Sequence, residues 1–412
     1  MNASYLVEPF KNHKTITIGL VSSYGCALDE LEGSMGVIME AATRGTSKRN
    51  AGDIALAVDG RGGDLWTAYD LDFSGYYLRL PPEYLDDGLD LVIDLATNAT
   101  LSKGTMLIER ERAMYRLRGV IADPLSSLLS IYRLKAAFGN GPLSKCIFGT
   151  ERSIADLDVD SVRLRYDCEF PTPPLLPFAV GSISEPEGTK QLIQSYMAQV
   201  KAIALPKPID GKPGTPLGLE MHRQPSENAY ISINVVTPGI AQEQTLALAL
   251  ASTILGEAPS SRIFREIREK RGLSYIALSR LELFRPAGIF SAICDVKSER
   301  LEEALSIMVE ELKRLAEEET SPEEFEIAKN NLLGAYDIRL DNSASMASHL
   351  VPRKLAGSPM SYQDEYERIQ RIKPTDVRNA WRDMLEEKNI SLAVVGEFDD
   401  VLTKRAWDKI VW

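Results

Sequence analysis

The alternation of apolar and polar positions predicts the same order of elements twice along the chain. In the first half, period-two alternation indicates strands, and a period of about 3.6 residues indicates amphipathic helices. The strands predicted there are 15–21, 65–69 and 76–80, and the helices are 33–42, 83–99 and 108–129, the last interrupted near 121–124. The first half is therefore predicted to form a sheet packed with helices.

The same order recurs after residues 205–216, a segment rich in Pro, Lys and Gly that is typical of a linker. Strands are predicted there at 230–236, 288–296 and 390–395, and helices at 244–255 and from residue 322 onward. At the start of the last helix, Ser321, Pro322 and Glu324 form the pattern of a capping box. We therefore predict an α+β fold of two similar domains, 1–204 and 217–412, each an antiparallel or mixed sheet packed with helices.

The segment 260–275 predicts a short amphipathic helix that ends in a tight turn. A serine at its start, Ser260 or Ser261, is suited to capping the first N–H groups. Three apolar residues lie on one face at the spacing of a buried stripe: Ile263, Phe264 and Ile267. Basic residues in the last turn suit the negative end of the helix dipole, and Gly272 supplies the left-handed conformation that ends the helix.

Two residues of this segment, Arg268 and Tyr275, are the first functional candidates. A chain that leaves a helix through a glycine turn doubles back, so we expect both side chains to point into one space. The alternatives are a solvated helix charge paired with a nearby glutamate for Arg268, and a half-buried strand tyrosine for Tyr275. The pattern of the helix alone leaves these alternatives open.

Composition indicates a globular protein of 412 residues with 44% hydrophobic content. The net charge of −12, from 47 basic and 59 acidic residues, argues against a nucleic-acid partner. No run approaches the roughly 18 apolar residues of a membrane span, and the N-terminus lacks the apolar core of a signal peptide. The cysteines form no metal or disulfide pattern, so we predict reduced thiols and a cytoplasmic location. They are Cys26, Cys146, Cys168 and Cys294.

The chain resembles the pitrilysin/insulinase-type zinc peptidases, the inverzincins. In the second half the resemblance rests on 254–256, 260–275, 321–329 and 394–396, and in the first half on 62–63, 139–143 and 147–154. These segments follow the order of the family over nearly the whole chain. The resemblance implies two domains that form half of a clamshell, facing a second chain across a peptide chamber.

The family's zinc site depends on a helix with the motif His-x-x-Glu-His and on a distant glutamate. In this chain Gly36, Met39 and Glu40 stand at the three motif positions, and Arg118 stands at the position of the distant ligand, with Glu111 at an accessory acidic position. Arginine stays protonated and has no lone pair to offer a metal. We therefore expect no zinc in this chain. The three histidines, His13, His222 and His349, lie too far apart to form another pair.

A further departure lies on the strand that receives the substrate backbone in active family members. The family has an Asn-Ala pair there, whereas this chain has Trp66 and Thr67. The resemblance still implies that this strand binds a peptide by strand addition, without the amide of the asparagine.

The resemblance gives Arg268 and Tyr275 a role, because the family uses an arginine and a tyrosine seven residues apart at the substrate of the zinc-bearing domain. It implies that this chain is inactive alone and supplies the pair to a partner of the same family that carries the intact motif and the zinc. The rival interpretations are a catalytically silent scaffold or peptide-binding subunit of a larger assembly, and a homodimeric enzyme with unrelated chemistry. No nucleophile, phosphate-loop or metal motif in the sequence supports the last of these.

Overall fold

The structure is a computed structural model that describes residues 5–123, 128–158, 160, 162–164, 166, 175–200, 213–386, 389–410 and 412. The chain forms two compact units. The first comprises 1–118, 145–210 and 338–357, and the second comprises 119–144, 211–337 and 358–412. Most of the predicted linker, 205–216, lies outside the described residues, so the linker stays a prediction.

Each unit contains one five-stranded sheet, and the two sheets share one topology. The first has the order β1-β5-β2-β4-β3 and the second β6-β10-β7-β9-β8. One edge strand, β1 or β6, pairs in parallel, and every other pairing is antiparallel. The strands are β1 Leu6–Pro9, β2 Ile16–Ser22, β3 Asp64–Tyr69, β4 Ser74–Leu80, β5 Leu175–Gly181, β6 Leu219–Arg223, β7 Ala229–Pro238, β8 Ala277–Leu283, β9 Ala287–Val296 and β10 Ile390–Gly396. The predicted α+β class with two similar sheets is confirmed.

Helices cover the sheets and leave strands such as β2 and β10 buried over their whole length. The α-helices are α1 Ser34–Ala42, α2 Ala51–Asp59, α3 Leu85–Thr97, α4 Lys103–Ala122, α5 Leu129–Phe138, α6 Glu151–Ala155, α7 Pro186–Met197, α8 Thr245–Ser252, α9 Leu301–Glu317, α10 Pro322–Arg339, α11 Ser343–Leu355, α12 Tyr362–Arg371, α13 Pro374–Glu386 and α14 Asp400–Asp408. Shorter 3₁₀ turns occur at Cys26–Leu28, Pro82–Tyr84, Pro142–Ser144 and Ser298–Arg300, and π-helical segments at Thr253–Glu257 and Phe264–Glu269.

One helix from each half of the chain belongs to the unit built by the other half. Helix α11 packs in the first unit, where Ser343 Oγ lies 3.0 Å from Thr15 Oγ1 and 2.8 Å from Thr17 Oγ1. Helix α5 packs in the second unit, where the buried Arg133 pairs with Glu282. The predicted domains 1–204 and 217–412 do not include this exchange of helices. The exchange depends on contacts between residues far apart in sequence.

A histidine also fixes α5 to the second sheet. His222 on β6 stacks on Tyr132 of α5 with ring centroids 4.4 Å apart, and His222 Nδ1 lies 2.6 Å from the Tyr132 hydroxyl. Lys135, one turn further along α5, covers the Tyr132 ring. Burial and the neighbouring ammonium both disfavour a positive charge on the imidazole, so His222 makes this hydrogen bond with Tyr132 as the neutral ring.

Acidification is expected to weaken the second unit at this contact. Burial first, and the charge of Lys135 second, lower the pKa of His222 below its ordinary value of 6.5, while Glu220 opposes them. A lowered pKa contributes stability that is complete above the ordinary pKa and is lost as the pH falls through the folded-state pKa. The free energy of unfolding, measured with urea between about pH 7.5 and about pH 5, should therefore decrease.

The variant His222→Phe serves as the control, since it keeps an aromatic ring against Tyr132 but cannot take a proton. It should lose less of its free energy of unfolding than the natural chain over the same pH range. An identical pH dependence in both proteins would contradict the role given to His222.

Candidate functional site

The turn after the helix that carries Arg268 has the predicted form. Ile267 is fully buried and anchors the π-helical segment Phe264–Glu269. Gly272 has φ 58°, in the left-handed region that favours glycine. Its N–H donates to the Arg268 carbonyl at 3.2 Å, and the next N–H, of Leu273, donates to the Ile267 carbonyl at 2.9 Å. The chain thus reverses direction before Tyr275.

Arg268 and Tyr275 lie in direct contact. The guanidinium of Arg268 is 4.3 Å from the centroid of the Tyr275 ring and 4.9 Å from that of Phe264, so two aromatic rings hold it. Arg268 Nη1 also donates to the Tyr275 carbonyl oxygen at 2.9 Å. The expectation that both side chains share one space is therefore met by their geometry.

Within the described part of the chain, no carboxylate lies within ion-pair distance of Arg268. Glu266, two residues before Arg268, pairs instead with Lys270 and Arg271, each at 2.5 Å. Hydrogen bonds from Lys270, and then from Arg271, hold the pKa of Glu266 below its ordinary value. The alternative of a glutamate-paired helix charge does not describe Arg268, whose positive charge stays available.

Tyr275 is 73% exposed, and it precedes β8 rather than lying within it. The alternative of a half-buried strand tyrosine therefore does not apply. No residue in the described ranges hydrogen-bonds the Tyr275 hydroxyl. Arg268 and Tyr275 together present a guanidinium and a phenol to whatever approaches this surface of the second unit.

The start of the same helix differs from its prediction. Among the described residues Ser261 Oγ has no hydrogen-bond partner, so it does not cap the helix. Arg262, 5% exposed, instead binds Glu324 of α10 through two hydrogen bonds of 2.8 Å. The predicted capping box of α10 is half formed, because Ser321 Oγ accepts from the Glu324 N–H while the Glu324 carboxylate turns to Arg262. The two charged hydrogen bonds to the buried Arg262 guanidinium are stronger than one bond to the N–H at the helix cap, so the Glu324 carboxylate binds Arg262.

In the first unit, the three motif positions of α1 do not fit a zinc ion. A β-carbon at Gly36 would lie 3.1 Å from the Tyr69 ring, so this aromatic side chain occupies the place of the first histidine. Met39 is fully buried in the core. The Glu40 carboxylate accepts a hydrogen bond of 2.7 Å from Thr67. One carboxylate with no histidine or thiolate beside it among the described residues does not make a zinc site.

Arg118 on α4 is the residue that the resemblance assigns to the position of the distant ligand. It is mostly exposed, and its Nε is 3.7 Å from Glu151. Arg116, also on α4, acts on Tyr69: burial raises the pKa of Tyr69, and the positive charge of Arg116 partly offsets that rise. Two residues along a helix correspond to a rotation of about 200°, so Arg118 and Arg116 point in nearly opposite directions.

The acidic residues of α4 differ in burial. Glu111 is exposed, whereas Glu109 is buried and pairs with Arg44 at 3.1 Å. Glu111 and Arg118 therefore stay predictions for the accessory and distant positions, while Glu109 and Arg116 are the residues two positions earlier that interact with Arg44 and Tyr69. Arginine stands at both positions, 116 and 118, that could correspond to the distant ligand. Arginine does not bind a metal, so the distant ligand is absent at either position.

Trp66 and Thr67 lie on β3, which is an edge strand as the resemblance implies. Trp66 stacks on Tyr77 of β4 with centroids 5.4 Å apart, while Thr67 faces Glu40. A groove of about 550 Å³ lies between β3, α1 and α2. It is lined by Glu40, Arg44, Ile54, Asp59, Trp66 and Thr67, among others.

The part of the chain that the structure describes holds no group of three His, Cys, Asp or Glu side chains suited to a metal ion. The described cysteines Cys26, Cys146 and Cys294 are buried and form no disulfide with one another, and Cys168 lies outside the described residues. None of the described helices combines the length and the apolar character needed to cross a bilayer.

Two adjoining family models match this chain. The model described as insulinase (peptidase family M16) matches residues 11–151, and the model described as peptidase M16 inactive domain matches residues 176–332. An uncharacterized zinc protease of Streptomyces coelicolor is 26% identical over 421 residues, which cover 98% of this chain and 90% of that protein.

Solved structures share the fold over nearly the whole length. A peptidase M16 inactive domain from Pseudomonas fluorescens superposes with a TM-score of 0.85 at 19% identity, covering 96% of each chain. A chain of complex III2 from Candida albicans gives a TM-score of 0.81 at 20% identity, covering 98% of this chain and 96% of that one. At these identities the likeness concerns the fold.

Because Tyr69 packs on Gly36, a larger side chain at position 36 should destabilise the chain. Gly36→His places a large side chain into the Tyr69 ring and should lower the free energy of unfolding by about 1–3 kcal/mol, as overpacking usually does. In a Tyr69→Ala background the cost should become smaller, as urea unfolding would measure. Gly334→His in α10 is the control, because nothing lies within 4 Å of a β-carbon there. An equal cost of Gly36→His with and without Tyr69 would contradict the assignment.

Proposed function

Because the chain belongs to the insulinase (M16) family of peptidases, we propose that it is the zinc-free subunit of a heterodimeric metallopeptidase. In this proposal its partner is a family member with the intact His-x-x-Glu-His motif and the zinc. This chain closes the peptide chamber and supplies Arg268 and Tyr275 to the substrate at the partner's metal. A cytoplasmic location remains a prediction from the cysteine usage.

One observation carries the proposal: the first unit has lost its metal ligands, while the second unit keeps an ordered and unneutralised arginine–tyrosine pair. Arg268 uses one N–H on the Tyr275 carbonyl, which leaves its other donors for a peptide carbonyl. The Tyr275 hydroxyl is free to donate to the oxyanion that forms at the scissile carbon. A scaffold has no use for two donors held in one orientation.

The substrates in this proposal are extended peptides. The edge strand β3 offers backbone groups for strand addition, and Trp66 and Thr67 lie along the strand beside the groove. Glu40, Asp59 and Asp64 contribute negative charge to the groove, whereas Arg44 shares the Glu109 carboxylate with Arg112. Such a lining favours peptides with basic side chains.

The second candidate is a silent scaffold or peptide-binding subunit of a larger assembly. The observation that favours it is the same groove, which persists although its metal positions are filled by Tyr69, Met39 and Glu40. The two candidates differ in what they require of the second unit: only the metallopeptidase needs Arg268 and Tyr275.

The test is a cleavage assay with the chain alone, with the chain mixed with a His-x-x-Glu-His-bearing relative from the same genome, and with that relative alone. Activity is expected only in the mixture. In the mixture, Arg268→Ala or Tyr275→Phe should lower kcat by about 10²–10³, the usual effect of removing one such donor, while the complex persists in size-exclusion chromatography.

The matched control is Arg265→Ala, which removes an exposed arginine three residues before Arg268 on the same helical segment. It should leave kcat within about twofold of the unsubstituted mixture, since a solvated surface charge contributes little. Zinc-dependent cleavage by the chain alone would contradict the proposal. Full activity of the Tyr275→Phe complex would leave the scaffold as the better interpretation.

A further inference from the structure

A buried carboxylate lies directly behind Tyr275. Asp295 near the end of β9 is 8% exposed, and its Oδ1 accepts hydrogen bonds from Ser274 Oγ at 2.6 Å and from the Ile276 N–H at 2.8 Å. These two donors belong to the residues immediately before and after Tyr275. The Asp295 N–H in turn donates to the Ile276 carbonyl at 3.2 Å.

The other oxygen of Asp295 is held by a neutral donor. Asn228 Nδ2 donates to Asp295 Oδ2 at 2.8 Å, and no cation lies within ion-pair distance of Asp295 in the described part of the chain. The carboxylate therefore serves as an acceptor for three uncharged donors rather than as half of a salt bridge. A carboxylate that accepts several hydrogen bonds in a buried position is strongly fixed in orientation.

Tyr275 is held in place by its backbone rather than by the packing of its own ring. The ring is mostly exposed and packs on the Arg268 guanidinium, so its own burial contributes little to fixing it. What fixes it is the backbone on both sides, through Asp295, and the Tyr275 carbonyl, through Arg268. Movement of residues 274–276 would displace that carbonyl and the ring together.

We propose that Asp295 is the positioning residue of the Arg268–Tyr275 pair. Within the described residues, Asp295 makes no hydrogen bond with either side chain. It acts by holding the backbone that carries both the Tyr275 phenol and the Tyr275 carbonyl to which Arg268 donates. The catalytic value of this positioning rests on the function proposed above. The positioning itself is a property of this chain and can be measured without a partner.

Asn228 allows a conservative rescue. Its Oδ1 is buried without a hydrogen-bond partner among the described residues. In Asp295→Asn, the new amide can keep its oxygen towards Ser274 and Ile276 and direct its NH₂ group to Asn228, whose side-chain amide rotates to present Oδ1. In Asp295→Ala all three donors lose their acceptor.

The measurement is the ¹⁹F resonance of 3-fluorotyrosine at position 275, assigned among the 15 tyrosines by its absence in Tyr275→Phe. Asp295→Ala should move this resonance towards that of a solvent-exposed, unstructured tyrosine, and Asp295→Asn should leave it near its original position. Ser274→Ala, which removes one donor with little change in packing, should give a smaller shift in the same direction and keeps the test open if Asp295→Ala does not fold. Glu365→Ala is the control, because it removes another buried carboxylate that contacts Tyr336 and not this turn.

An unchanged resonance in both Asp295→Ala and Ser274→Ala would overturn the proposal, as would an Asp295→Asn shift as large as that of Asp295→Ala. In the reconstituted peptidase, Asp295→Ala should lower kcat by about tenfold or more with KM within about twofold, and should add little to Tyr275→Phe. If the mixture does not cleave peptides, the proposed function fails, while the resonance still decides whether Asp295 positions Tyr275.

Discussion

The contact of the Arg268 guanidinium with the rings of Phe264 and Tyr275 is the interaction on which this account depends. A donor group that acts on a substrate must be fixed in place, and a carboxylate partner would fix it at the cost of neutralising it. Aromatic faces hold the guanidinium without cancelling its charge. The neighbouring Glu266 pairs with Lys270 and Arg271. Arg268 therefore has no carboxylate partner in the described part of the chain.

Several parts of this site follow from the sequence because they depend on local geometry. The turn at Gly272, the burial of Ile267 and the shared position of Arg268 and Tyr275 are set by a helix and the turn that ends it. Asp295 could not be predicted, since it lies twenty residues further along and reaches Tyr275 only through the pairing of β8 with β9. Arg262 shows the opposite case: a local rule assigned the Glu324 side chain to a cap, and a tertiary ion pair took it instead.

The first unit shows the same division between local and tertiary information. The sequence indicates that α1 lacks metal ligands, but the side chain that replaces them, Tyr69, comes from a neighbouring strand. Which arginine of α4 acts on Tyr69, Arg116 or Arg118, depends on which face of the helix packs inward, and a charged helix gives few apolar positions from which to predict it. Likewise the two sheets follow from the repeated pattern, whereas the exchange of α5 and α11 rests on contacts such as Arg133 with Glu282 that no local pattern contains.

The central claim is that Tyr275 reaches a peptide bound at the zinc of another chain. Photo-crosslinking tests this directly: a benzophenone amino acid replaces Tyr275, the chain is mixed with the zinc-bearing relative and a non-cleavable peptide, and the adducts are mapped by mass spectrometry. The account predicts adducts to the peptide or to the partner's motif helix. Adducts confined to this chain, in a complex that is intact and has bound the peptide, would contradict it.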